Sequence, residues 1–337
     1  MKREQEETNP RFPSKVLITG GHQTGGVASF AEALREGFVD LGIAAEVVPS
    51  SYILSHWHDL RDPDVLKVLS TTAVFAAPFS KRTICVAHGC PRPGMQGWIR
   101  ALGIVASYKL AKWNARLVAV SHYSALHLRT IYNLRVDAVI HNPLDDLFLE
   151  AGGDEGARRD CITFAGRLHP SKRLDQVFPA IRALLHENPP LRAAIVGDGE
   201  LRPTLEAAAG RDPRIEFAGE ISRSEVRKWL RRTRVFVSGC EVEALGIAYL
   251  EALSQGCAVV MPASGGGLEI APELIGSAIH LYSGAGSEPV VRALRRALAA
   301  LPTRISLSAY SARAAAKAYL AADPSPRKQL TFSEVTR

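Results

Sequence analysis

The strongest constraint on this chain is a regular alternation. Short apolar, β-branched runs are each followed by a helical pattern, almost from end to end. The series opens with "KVLITGG" (15–21) and "GGVASFAEALREGFVDLG" (25–42), where Gly42 suits a helix stop. It continues with a strand "AAEVVPS" (44–50), a helical reading of "DPDVLKVLSTTAVFAA" (62–77) and a strand "TICVAHG" (83–89). A long helical stretch from Gly94 to about Ala115 then leads into "RLVAVSH" (116–122), "YSALHLRTIYN" (123–133) and "VDAVIHNP" (136–143). Continuously apolar strands separated by helices predict a parallel sheet covered on both faces.

The alternation breaks once. "DDLFLEAGGDEGARRD" (145–160) is acidic, glycine-rich and aperiodic, which marks a linker. The pattern then restarts: "CITFAG" (161–166), a helix near 173–187 that must absorb Pro179, "LRAAIVGDG" (191–199), "ELRPTLEAAAG" (200–210) and "RIEFAGE" (214–220). "SRSEVRKWLRRT" (222–233) carries Ser222 and Glu225 at capping-box spacing, ahead of the strand "RVFVSG" (234–239). The expected fold class is therefore α/β, with two doubly wound Rossmann-like domains, 1–148 and 149–306, facing a central cleft. The run at 307–323 suits either domain, and a C-terminal helix at about 307–325 is free to pack back on the first. Such domains take ligands at the carboxyl ends of their strands.

The 337 residues carry a net charge of +7, which favours anionic partners or else a plain basic surface. Five scattered cysteines with no C-x-x-C spacing point away from a disulfide framework or a zinc site, and toward a reducing compartment. The polar opening "MKREQEETNPRFPSK" has no apolar signal core, and no run reaches the roughly 18 apolar residues of a membrane span. The expectation is a cytoplasmic protein, with the inner face of the cell membrane open to it as a peripheral partner.

The densest chemistry lies in "CEVEALGIAYLEALSQGC" (240–257), between two buried-looking strands. Read as a loop turning into a helix near Leu245, it puts Glu243 just before the helix and Glu251 about two turns in. Eight residues rotate a helix by about 80°, so the two carboxylates address different parts of one elongated ligand. The amides of Leu245, Gly246 and Ile247 are donors at a helix start, an anion site, and Gly246 lets a phosphate approach the backbone. Glu251 suits a vicinal diol such as a ribose, and Glu243 the hydroxyls of a second moiety. The alternative is an ordinary surface Glu with a helix salt bridge. In "FAGRLHPSKRL", Arg167 and Lys172 follow a strand five residues apart, where two cations can grip a diphosphate. "IVGDGE" (195–200) and "SGGGLEI" (264–270) are glycine-rich turns after strands.

In this order the pieces resemble the second domain of the retaining glycosyltransferases of family 4, which have the GT-B fold. The matching residues are Gly166–Arg167 with Lys172, Gly197–Asp198–Gly199, Phe217–Ala218–Gly219, Glu243 with Glu251, and Gly265–Gly267 with Glu269. The resemblance covers roughly 160–275. It implies that Arg167 and Lys172 bind the diphosphate of a nucleotide-sugar donor, that the Gly246 and Ile247 amides help, that Glu251 binds the ribose and that Glu243 contacts the donor sugar. Gly197 would join the donor site, and Glu220 and Ile221 would border the nucleobase. In the first half, "TGGHQTGGVASF" resembles the family's first loop, with Gly25 and Gly26 opening a helix toward the diphosphate. His88 stands at a strand end where the family has a His near the transferred sugar. Ser121, Asn142 and Asp145 match more loosely. Departures are the Ala–Leu pair after Glu243, a second acid at Glu241, and a short 48–82 region in the domain that shapes the acceptor site.

The implied reaction is transfer of a sugar from a nucleoside-diphosphate sugar to a hydroxyl acceptor, with retained configuration. That acceptor is a sugar, a small molecule, or a lipid-linked or cell-envelope glycan precursor. Arg167, Lys172 and the helix amides face the leaving diphosphate, so no metal and no cofactor are expected. The nucleobase, the sugar and the acceptor are left open. A second reading keeps the fold and makes the chain a catalytically weak, nucleotide-sugar-binding partner subunit. The first loop is not G-x-G-x-x-G, which disfavours a dinucleotide dehydrogenase. Basic residues on helices rather than aromatic-interleaved strands disfavour nucleic acid. In "GWIRALGIVASYKLAKWNAR" (97–116), Trp98, Leu102, Val105, Lys109, Lys112, Trp113 and Arg116 fall in one broad helical sector. That sector suits an anionic membrane surface, or else a buried helix with snorkelling lysines.

Overall fold

The computed structural model describes residues 12–20, 25–89, 91, 97–149, 160–300 and 305–324. Contacts divide the chain into two compact units. One comprises Met1–Val120, Ser124–Pro143 and Ala312–Arg337, the other Ser121–Tyr123 and Leu144–Ser311.

The first unit is built on six parallel strands: β1 (Lys15–Gly20), β2 (Ala45–Pro49), β3 (Val65–Ser70), β4 (Thr83–Ala87), β5 (Ala115–Ala119) and β6 (Ala138–Val139). Their order across the sheet is β2-β1-β3-β4-β5-β6. The chain therefore reverses its direction of travel between β1 and β3, which lie side by side in register. One expectation is corrected here. The stretch read as a helix over 62–77 is the buried strand β3 followed by a 3-10 helix, Thr71–Phe79. All six β3 residues are buried. A strand covered on both faces is mostly apolar, here Val65, Leu66, Val68 and Leu69 around Lys67, and over so short a run that composition also fits a helical stripe. The helix read from Gly94 runs from Trp98 to Ala111, and the strand read over 136–143 shrinks to Ala138–Val139.

The chain's last described helix, Ala312–Ala321, belongs to this unit and lies against the helix Gly26–Val39. The two approach so closely at Gly37 that a Cβ there would run into the Ala312 carbonyl. Phe30 and Tyr319, both fully buried, sit with ring centroids 6.1 Å apart in this seam. Just beyond it, Arg82 Nη2 donates to Asp323 Oδ2 at 2.7 Å and Nε donates to the same oxygen at 3.0 Å, with both side chains less than a tenth exposed.

The second unit repeats the plan with β7 (Cys161–Ala165), β8 (Arg192–Val196), β9 (Ile215–Gly219), β10 (Thr233–Val237), β11 (Ala258–Pro262) and β12 (Ile279–Tyr282). The order is β12-β11-β10-β7-β8-β9, so the reversal falls between β7 and β10. A core of Ile162, Phe164, Val235, Val237 and Val260 meets the helices Leu174–Glu187 and Glu288–Ala299 on one face. The first of these continues through Pro179. The helix Arg223–Arg232 starts with a complete capping box: Glu225 N–H donates to Ser222 Oγ, and Ser222 N–H donates back to the Glu225 carboxylate.

Candidate functional site

In a doubly wound sheet the loops on either side of the reversal point diverge and leave a crevice at the strands' carboxyl ends. In the second unit those loops follow β7 and β10. They carry Arg167 and Lys172 on one side, Glu243 and Gly246 on the other. Leu168, fully buried, pins the first loop, and its N–H donates to the Asp198 carbonyl at 2.9 Å. The loop closes in a 3-10 turn, Pro170–Lys172, and leaves it through Arg173 at φ 49°. A left-handed arginine costs about 1 kcal/mol or more, so the surroundings must hold it. Gly239, just past β10, allows the second loop to lie on the first, since a Cβ there would stand 2.6 Å from the Lys172 carbonyl.

This close approach brings two of the sequence-derived residues together. Lys172 Nζ donates to Glu243 Oε2 at 2.6 Å. Both side chains are about a quarter exposed, at 27% and 24%. Burial works to lower the Lys172 pKa, but the Glu243 carboxylate and the neighbouring Cys240 outweigh it and the net change is upward. Lys172 is therefore a firm cation. Glu241 has a separate partner: Arg173 Nη1 donates to it at 3.3 Å. Structure thus divides the two nearby acids between two cations. Arg167 is exposed, and its guanidinium makes no hydrogen bond or ion pair among the described residues.

The helix after this loop is Ile247–Ser254, two residues later than the sequence places its start. Leu245 is buried in the core and Gly246 forms the entry at φ 92°. A side chain at Gly246 would be strained and would also meet the Tyr249 ring. Tyr249 in turn donates its hydroxyl to Ser238 Oγ at 3.1 Å. The amides of Leu245, Gly246 and Ile247 make no hydrogen bond within the described residues. Three amides at a helix start that have no partner among the described residues are donors open to an anion.

Glu251 lies deeper than the sequence suggests. It is 5% exposed, and Arg223 Nη1 donates to its Oε1 at 2.6 Å. Burial raises its pKa, with Arg223 opposing. Arg223 also lies over the Phe148 ring at 4.8 Å; its buried Nε and Nη2 make no hydrogen bond among the described residues, with Nε 3.6 Å from Asp145 Oδ2 as an ion pair. From sequence, Arg223 reads as part of a basic, solvated helix face, "RSEVRKWLRRTR" (223–234), and its position at a helix start carries no signal for a partner twenty-eight residues on. Cys240 likewise bears, from sequence, only on a disulfide or zinc role.

The remaining residues of the second unit have supporting positions. Gly197 donates its N–H to the Gly219 carbonyl at 2.7 Å, and its φ of 121° and the Gly166 backbone against it leave no room for a side chain. Ile221 is half-buried against Cys161, Ala194 and Val196. Glu269 accepts from the amides of His122 and Tyr123, which cluster with this unit, at 2.7 and 2.6 Å.

In the first unit, Gly25 and Gly26 are exposed at the start of the helix Gly26–Val39, with Gly25 at φ 105°. The rest of that loop, 21–24, lies outside the described residues. His88 follows β4. Its Nε2 is 3.0 Å from Ser70 Oγ, at the end of β3, and Phe30 meets its ring edge-on at 4.6 Å. Burial pushes its pKa down to about 4, so it is neutral at physiological pH. A neutral imidazole can donate or accept a hydrogen bond to a hydroxyl.

Comparison with known proteins bears on the same stretch. Residues 159–300 match the family model "Glycosyl transferases group 1". A D-inositol 3-phosphate glycosyltransferase of Kribbella flavida is 31% identical over 259 residues, covering 70% of this chain and 58% of that protein. The same-named enzyme of Streptomyces scabiei is 29% identical over 194 residues, covering 51% and 43%. The chain thus spans about half the length of these relatives. Among solved structures, Anabaena HepE in complex with UDP and glucose superposes with a TM-score of 0.65 at 15% identity, covering 92% of this chain and 94% of that one. AviGT4, a glycosyltransferase involved in avilamycin A biosynthesis, gives 0.67 at 18% identity, covering 92% and 96%. At such identities the likeness is one of fold: two six-stranded parallel α/β units of the GT-B type.

Proposed function

We propose that this chain, which carries a group 1 glycosyltransferase domain over residues 159–300, transfers a sugar from a nucleoside-diphosphate sugar to a hydroxyl acceptor with retention of anomeric configuration. The observation that supports this most is the Lys172–Glu243 pair at 2.6 Å, set at the reversal point of the second sheet next to the Gly246 helix entry. A cation and a carboxylate in contact, each partly open to solvent, can exchange each other for a ligand that has both an anionic and a hydroxylic part. A donor diphosphate takes Lys172 and Arg167. Glu243, released, accepts from hydroxyls of the sugar. Glu251 keeps one oxygen on Arg223 and turns the other to the ribose.

In the reaction the bond from the anomeric carbon to the diphosphate oxygen breaks, and a bond to the acceptor oxygen forms on the same face. The acceptor proton passes to the departing diphosphate. Negative charge grows on that group, and on this reading Arg167, Lys172 and the Leu245–Ile247 amides meet it, stabilising the transition state more than the ground state. The two cations take the charge-neutralising part that a metal ion has in other phosphate chemistry. His88, neutral and oriented by Ser70, serves as a hydrogen-bond partner for a substrate hydroxyl. Relatives named for inositol 3-phosphate support polyol alcohols as acceptors to try first.

The test is a panel of UDP-, GDP- and ADP-sugars, read by thermal shift and by released nucleoside diphosphate. One donor should stabilise the protein and be slowly hydrolysed, and Glu251→Ala should weaken the matching nucleoside diphosphate about tenfold or more. Absence of any response would move the chain to a non-catalytic partner role. An inverted product, read by the anomeric NMR coupling, would remove the retaining mechanism alone.

A further inference from the structure

The first unit leaves an unusual amount of aromatic surface in water. On the helix Trp98–Ala111, Ala101, Val105, Tyr108 and Ala111 are buried, so Val105 belongs to the inward face and not to the sector read from the sequence. The opposite face carries Trp98 at 71% exposure, Ile99 at 90% and Leu102 at 58%, and Trp113 follows just past the helix at 83%. The surface continues onto the 3-10 helix Thr71–Phe79. The Phe75 ring tip is 3.8 Å from where a Gly103 Cβ would stand, and Asn114 Nδ2 donates to the Pro78 carbonyl at 2.5 Å. Phe75 and Phe79 are more than half exposed, and Phe79 leads on to Trp57 at 5.9 Å between rings. A continuous patch of this kind is rare on a free-standing soluble surface and marks something that covers it.

Charge indicates what covers it. Residues 65–136 contain ten Lys and Arg and no Asp or Glu. Set against a whole-chain net of +7, that leaves the rest of the chain at −3. Lys67 and Arg82 turn inward, but Lys109 and Lys112 are exposed between Leu110 and Trp113 on the aromatic face itself. Lysine is depleted from the centre of protein–protein interfaces, where its charge would be stranded. A lipid interface accepts both kinds of group at once: rings enter the headgroup–acyl boundary while lysines snorkel to phosphates. The helix has 14 residues, about 21 Å, against the roughly 30 Å needed to cross. It has the length and face of an element that lies in the interface plane.

We propose that the face formed by Trp98, Ile99, Leu102, Lys109, Lys112 and Trp113, extended by Phe75 and Phe79, docks the protein on an anionic bilayer surface. This stands apart from the transfer reaction and is tested without any donor. The full chain is co-sedimented with phosphatidylcholine vesicles and with vesicles containing phosphatidylglycerol, at low and high salt. Binding is expected to the anionic vesicles, weakened by salt. Trp98→Ala with Trp113→Ala, and separately Lys109→Glu with Lys112→Glu, should each lower the partition coefficient about tenfold. All four side chains are exposed, so the melting temperatures should stay at the wild-type value, and a variant that melts early is replaced by Trp113→Ala alone. No binding by the wild type, or binding untouched by both variants, overturns the proposal. So does self-association by light scattering that the Trp pair abolishes while vesicles are ignored, which would make the face an interface between copies.

Discussion

At the scale of single residues, the proposed reaction rests most on the pairing of Lys172 with Glu243. An ion pair about a quarter exposed contributes at most about 1 kcal/mol to stability. Its value lies in poise. Lys172→Ala should therefore change the unfolding midpoint little while lowering kcat about 100-fold or more, with a smaller change in donor KM. Steady-state kinetics alongside a thermal melt would check this, and turnover within threefold of wild type would return Lys172 to an ordinary surface role. Glu241 and Glu243 are two positions apart and chemically identical, yet one meets Arg173 and the other Lys172. The left-handed backbone at Arg173 is what points successive cations in different directions.

At the scale of elements, the helix Arg223–Arg232 couples local and distant order. Its capping box holds the first turn, and the residue of that turn nearest the cap is Arg223, which binds Glu251. Ser222→Ala removes an acceptor for the Glu225 amide and should cost about 1 kcal/mol, seen as a lower urea midpoint with an unchanged slope. If Arg223 is placed by the cap, nucleoside diphosphate affinity should fall with it. Stability lost with affinity intact would separate the cap from the site. The capping box was legible because its signal lies within four residues. Strand β3 was not, because it lies between β1 and β4 in the sheet and has its Val65 and Leu69 packed against Ile53, Leu60 and Val74, an arrangement that no local periodicity reveals.

At the scale of the whole molecule, the chain's end returns to its beginning: the helix Ala312–Ala321 packs on Gly26–Val39, and Asp323 takes Arg82. Removing one partner of so buried a pair strands the other. Asp323→Ala should destabilise the first unit by about 3 kcal/mol, and Arg82→Met with Asp323→Leu should recover most of that. Three of the four tryptophans, Trp57, Trp98 and Trp113, lie in this unit, so intrinsic fluorescence during denaturation reports it. Fluorescence and circular dichroism should separate in the single variant and converge in the double. A single variant as stable as wild type would show that the pair is solvated in solution.

The sequence by itself determined the α/β class, the two series of parallel strands apart from β3, and the order of the glycine-rich loops. These rest on hydrophobic period and turn chemistry, which act within a few residues of chain. It also marked Arg167, Lys172, Glu243 and Glu251 as the residues to follow, from spacing and family resemblance together. Tertiary structure decided which groups touch. It joined Lys172 to Glu243 across seventy-one residues, buried Glu251 against Arg223, set Ser70 beside His88, and left the Trp98–Trp113 face uncovered. Each of these depends on which strands become neighbours at a reversal point, or on which face of a helix finds a core. Such choices are settled by the packing of the whole unit and leave no trace in the local pattern of the residues that meet.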